Sequence, residues 1–158
     1  MSLLPFFRWC DSTWISIAIR DSRFLFPAIE TFHLLGITML LGTLLLVNLR
    51  LFNLGMRRQS IDRLALELRP WTLGSLAVIL VSGTLLFLSE ALKCYDSGPF
   101  QLKMLLLFLA ILFQFTVHRP FTMSGKALIT PFRARLVGSL SLMLWFGVGL
   151  AGRAIGFF

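Results

Sequence analysis

Charge is what this sequence is shortest of. Asp, Glu, Lys and Arg together make up 14% of its 158 residues, where soluble domains carry about a quarter. Acids are the scarcer sign, 7 against 15 bases, while hydrophobic residues reach 57%. A soluble fold has no interior large enough to hide that much apolar surface. Cysteine is limited to Cys10 and Cys94, which have neither the number nor the spacing of a metal site such as CxxC. There is no HExxH, no nucleophile elbow and no glycine-rich phosphate loop, so the commonest hydrolase and nucleotide-binding chemistries have no anchor. The first 23 residues lack a basic start, an unbroken apolar core and a small-residue cleavage site, and read as part of the mature chain. The +8 net charge lies between apolar runs rather than on one soluble face, which argues against a nucleic-acid partner and for a topology signal.

What is present is a set of apolar runs of membrane-spanning length. Spans are predicted at about 26–49, 71–92, 100–117 and 136–157, each bounded by charge, Pro or Gly. Four spans leave no room for a second domain in residues 1–158. Leu3, Phe6, Phe7, Cys10, Trp14 and Ile17 recur at three- and four-residue spacing, opposite Arg8, Asp11, Ser12 and Ser16, and predict an interfacial amphipathic helix over 3–19. Ser60 opens a second, short amphipathic helix bearing Ile61, Leu64, Ala65 and Leu68, which Pro70 is expected to stop. The fold class is therefore all-α, a polytopic membrane four-helix bundle with an N-terminal interfacial helix and a short cytoplasmic one.

Basic residues fix the expected orientation. Arg50, Arg57, Arg58, Arg63 and Arg69 lie between the first two spans, and Arg119, Lys126, Arg133 and Arg135 between the last two, whereas the middle loop has Lys93. The positive-inside rule places the two basic loops in the cytoplasm and both termini in the periplasm of a bacterial inner membrane.

Ionisable groups within the spans are functional hypotheses by default. Glu30 and His33 share a face of the first span, with His33 roughly 10 Å outward of its midpoint. Antiparallel neighbours bring Glu90, Lys103, Met104 and Arg153 to the same outer layer, where Glu30 is expected to pair with Arg153 and Glu90 with Lys103. An internally neutralised network that only packs the helices explains such a layer equally well. His118, beside Arg119 and Pro120, is expected at the cytoplasmic interface, roughly 20 Å or more from His33, so one haem cannot join the two. Gly152 and Gly156 form a small-xxx-small pattern suited to close helix packing, and Gly149 with Gly152 would also make room for a flat cofactor beside His33. Trp145 falls mid-span, where its indole N–H needs a partner or a cavity. Cys10 and Cys94 share the outer side, as a disulfide or as two separate buried thiols.

The run FPAIETFHLLGITMLLGTLLLVNLRLFNLGMRR, with Gly83–Phe87, Phe100–Lys103 and the S-x-x-LW…GR pattern from Ser141 to Arg153, resembles an uncharacterised family of small bacterial four-span inner-membrane proteins. The resemblance covers nearly the whole chain and implies matches at Pro27, Glu30, His33, Lys103, Gly152 and Arg153. An acidic residue is usual in that family where Asn48 stands here. In plan the chain is also similar to small b-type membrane cytochromes and to copper-resistance D-type membrane proteins.

Three functions follow as expectations. The first is a b-type haem protein moving electrons in the outer leaflet. His33 would be the haem-iron ligand, Met104 the second axial ligand, Glu30 an orienting group, and Lys103 or Arg153 would face the propionates. Its partners would be a quinone or a periplasmic redox protein. The second is a cofactor-free accessory or assembly subunit of a larger membrane complex, or a homo-oligomer. The third is a small proton or ion transporter through Glu30, His33 and Glu90, for which the inner half offers Asn48, Gln114, Ser139 and Ser141.

Overall fold

The computed structural model describes residues 4–54, 58–95, 97–123 and 130–155. Its long helices are α3 (Leu25–Leu51), α4 (Ile61–Ser89), α6 (Gly98–Met123) and α7 (Pro131–Ala154), all long and apolar enough to cross a membrane. The short helices α1 (Leu4–Asp11), α2 (Trp14–Asp21) and α5 (Ala91–Tyr95) gather at one end, here the terminal end. The other, basic end carries the connections between α3 and α4 and between α6 and α7.

The interfacial segment is two helices rather than one. Thr13 breaks it: its hydroxyl donates to the Cys10 carbonyl at 2.8 Å and accepts from the Ser16 N–H, so it closes α1 and caps α2. Arg20 returns to Asp11 at 2.8 Å and pins the two together. Phe7 of α1 packs edge-on against Phe87 and Tyr95, and Cys10, Ser16 and Ile19 are buried beneath the pair. Cys10 and Cys94 are free thiols, and burial pushes Cys94 above its ordinary pKa while nearby Lys103 pulls it only partly back.

Pro70 does not stop the amphipathic segment, which runs unbroken into the second span as α4. The helix forgoes the N–H that would reach the Leu66 carbonyl. Leu66 is exposed at the basic end, so its carbonyl is not left unpaired in the core. At the far end of α3, Asn53 adopts a positive φ of 60°, and the Leu54 N–H caps the Leu49 carbonyl at 3.0 Å, a left-handed helix stop that Asn tolerates.

α6 extends past the predicted end at Val117. Residues Gln114–His118 form a wider π-type turn, in which the Arg119 N–H reaches the Gln114 carbonyl five residues back. Such turns recur at functional sites.

α3 packs along α4 and against α7, and α6 packs along α7. α4 and α6 meet at their two ends, where Arg119–Met123 lies on α4 and where Phe87 stacks on Phe100. The core between the four is Leu40, Leu44, Leu76, Ile79, Ala110 and Trp145. Facing residues of α3 and α4, namely His33 with Ser82, Gly36 with Ile79 and Thr43 with Thr72, have numbers that add to one constant total, the register of a straight antiparallel pair.

Candidate functional site

The predicted outer layer exists as a depth but not as a cluster. His33 is 7% exposed and turns into the α3–α4 seam, its Nδ1 2.8 Å from Ser82 Oγ. The Ser82 hydroxyl proton goes to the Val78 carbonyl, so His33 donates through Nδ1–H and keeps its Nε2 lone pair. One edge of the ring abuts Gly83, where a Cβ would come within 3.1 Å of Cε1. Half-buried Lys103 extends over Gly152, with Nζ 3.5 Å from the position of a Cβ there, within electrostatic reach of His33.

The remaining predicted members face elsewhere. Met104, the expected second axial ligand, is 48% exposed on the outer surface of α6. Glu30 and Arg153 are exposed as well, and the ion pairs among the described residues join Asp11 to Arg20, Arg63 to Glu67 and Glu90 to Lys93. Glu90 thus pairs with its neighbour one turn on rather than with Lys103. No three His, Cys, Asp or Glu residues converge among the described residues in a way that could hold a metal ion. Gly149 faces open space, so it makes no slot beside His33, and Gly156 lies outside the described residues.

A different site occupies the half of the bundle toward the basic end. His118 is 2% exposed, far from the solvated interfacial residue expected of it, because α6 continues for another turn beyond it. Its Nε2 lies 3.1 Å from Asn48 Oδ1, and Asn48 Nδ2 donates to Ser141 Oγ at 3.4 Å. An amide oxygen only accepts, so His118 carries its proton on Nε2, and Nδ1 remains an acceptor in the neutral ring. Asn48 and Ser141 are fully buried, so this chain across α3, α6 and α7 is the most enclosed polar contact in the bundle. Beside it Thr72 donates to Thr43 at 3.1 Å and joins α3 to α4.

Next to this chain is a cavity of about 50 Å³, several times the space one water needs. Leu40, Leu44, Leu76 and Phe115 give it apolar walls. His118, Thr72, Gln114 and Trp145 supply polar groups, and Arg69 and Arg119 stand on its lining toward the basic end. Two of these groups are buried without a partner among the described residues: the Trp145 Nε1–H donor and the Gln114 Oε1 acceptor. A buried polar atom left unsatisfied costs about 1–3 kcal/mol, so a donor and an acceptor orphaned on one cavity mark a place where something polar binds. The cavity lies where α4 and α6 part, and its flank of Leu73, Phe115 and Met123 is exposed on the bundle's outer face. That flank is the side on which a membrane-spanning bundle meets lipid.

Fold and site together define a polytopic helical membrane protein with a largely apolar cavity, carrying a few polar groups, inside its bundle. The chain belongs to a family of unknown function, DUF6644, whose model matches residues 6–158. No curated protein and no solved structure matches it.

Proposed function

We propose that this protein binds a small lipid-phase molecule in the cavity between α4 and α6. The observation that supports the reading is the orphaned pair, Trp145 Nε1–H and Gln114 Oε1, on walls that are otherwise apolar. A ligand entering from the bilayer presents an acceptor to the indole and a donor to the amide, and His118, oriented by Asn48, offers a further acceptor. With the positive-inside orientation the entrance faces the cytoplasmic leaflet.

The test is Gln114→Leu, which keeps much of the side-chain bulk and removes the orphaned acceptor. In delipidated protein it is expected to be neutral or stabilising by about 1 kcal/mol, because an apolar group of similar shape relieves an unpaired polar one. In protein purified with its native lipids, mass spectrometry of extracts is expected to show a stoichiometric bound species in the wild type, reduced about tenfold or more in the variant. A variant that destabilises delipidated protein by more than 1 kcal/mol, or that changes nothing in the extract, sinks the proposal.

The free Nε2 of His33 supports a second reading, a haem b held at the terminal end for electron transfer. Its orientation by Ser82 is the kind of support that fixed ligands receive. Since Met104 faces outward, the other axial position would need a group from a second protomer or stay open. The measurement is a reduced-minus-oxidised spectrum of protein produced under haem-replete conditions. The reading expects about one haem per chain, lost in His33→Ala and kept in Met104→Leu; a colourless wild type ends it.

A further inference from the structure

The ligand's chemical class can be read from the two arginines at the cavity, an inference that rests on the lipid-phase ligand proposed above. Arg69 comes from α4 and Arg119 from α6, the two helices that frame the entrance, and both line it. Neither forms an ion pair among the described residues, although the chain's other paired cations show that carboxylates are used where they are available. Two guanidinium groups contributed to one cavity by separate helices, Arg69 exposed and Arg119 half-buried, favour an anion, and their planar donors suit phosphate above all.

Depth adds a second constraint. Gln114 lies five residues before Arg119, so its amide sits roughly 7–8 Å deeper along α6, with Trp145 beyond it in the core. A ligand that satisfies all four groups carries an anion at one end. About two turns deeper at most, it carries a hydroxyl to donate to Gln114 Oε1 and a carbonyl to accept from Trp145 Nε1–H. A cavity of about 50 Å³ admits only a compact polar unit, which favours the ligand with the fewest chains. We infer that the site takes a single-chain anionic glycerolipid: phosphate on Arg69 and Arg119, the free hydroxyl at Gln114, the ester carbonyl at Trp145, and the acyl chain leaving between α4 and α6 into the bilayer.

The experiment uses the full chain in non-ionic detergent with Trp9, Trp14 and Trp71, all exposed, replaced by Phe, so that emission reports Trp145 alone. Three probes are titrated: 1-oleoyl lysophosphatidate, 1-oleoylglycerol, which lacks the phosphate, and glycerol 3-phosphate, which lacks the chain. Lysophosphatidate is expected to shift the emission and to bind about tenfold or more tightly than oleoylglycerol, the size of one charge-assisted contact. In Arg69→Gln/Arg119→Gln that advantage is expected to vanish. Equal binding of the two lipids, or an advantage that survives the double substitution, overturns the anionic assignment while leaving the lipid-phase cavity standing. Glycerol 3-phosphate binding as tightly as the lysolipid overturns the requirement for a chain. No emission change with any probe, together with an unchanged lipid extract in Gln114→Leu, overturns both proposals.

Discussion

Asn48→Ala is expected to lose about 2–3 kcal/mol of stability, the larger part of it through His118. Asn48 is the one side chain that touches both partners: it accepts from His118 at 3.1 Å and donates to Ser141 at 3.4 Å. Hydrogen bonds between membrane helices average about 0.6 kcal/mol and reach about 1.7, so two of unequal length contribute roughly 1–2 kcal/mol. The stranded His118 N–H and the small void left beside Gly138, whose Cβ position lies 3.3 Å from Asn48 Oδ1, account for the rest. Ser141→Ala removes only the longer bond and is expected to cost about 0.5 kcal/mol. Reversible unfolding in mixed micelles, followed by helix content, measures both. A loss from Ser141→Ala equal to that from Asn48→Ala would mean that the strength of the chain lies in α7 and not in the contact with His118.

The four spans were legible because lipid demands long apolar runs, and no tertiary contact changes that demand. Boundaries failed where a local rule met tertiary support. Pro70 ends an isolated amphipathic helix, but in α4 the exposed turn around Leu66 carries the cost. Val117 was expected to end the third span because His118, Arg119 and Pro120 follow it, yet the π-type turn lets α6 continue to Met123.

The arrangement of the outer layer was only partly legible for a related reason. Depth follows from residue counting at about 1.5 Å per residue, and His33 and Lys103 do share a level. Azimuth does not follow. A membrane helix is as apolar toward lipid as toward its neighbours, so nothing in the sequence said that Glu30, Met104 and Arg153 turn outward while His33 turns inward. The preference for ionisable groups also kept Asn48, Gln114 and Ser141, which carry no charge, as minor members of the transport reading and not as a site of their own. A signal was nonetheless present. Gln114 with His118, and Ser141 with Trp145, are polar pairs four residues apart, each on a single helix face, and Asn48 is at a comparable level on α3. Three helices offering polar side chains at one depth outweigh a single deep histidine.

The same register that aligns α3 with α4 makes Gly36 the most sensitive small residue of the seam. A Cβ there would meet Ile79 Cγ1 at 3.0 Å and Val78 Cγ1 at 3.2 Å, with the Ser75 carbonyl at 3.4 Å. Gly36→Ala requires Ile79 Cγ1 to yield by a few tenths of an ångström, and the higher helix propensity of Ala, up to about 1 kcal/mol, offsets that cost, so it is expected to be nearly neutral. Gly36→Leu has no such escape, because its further carbons press on the α4 backbone at Ser75 and push the helices apart; the expected loss is about 3 kcal/mol, the upper range for overpacking. Separation at Gly36 also strains the two bonds on either side of it along the seam, His33 to Ser82 and Thr72 to Thr43. Gly42 is the internal control. It lies six residues along the same helix with nothing within 4 Å of its Cβ position, and Gly42→Leu is expected to be neutral or stabilising by up to about 1 kcal/mol. Equal losses at the two positions would place the effect in α3 itself and remove the tight α3–α4 seam as its cause.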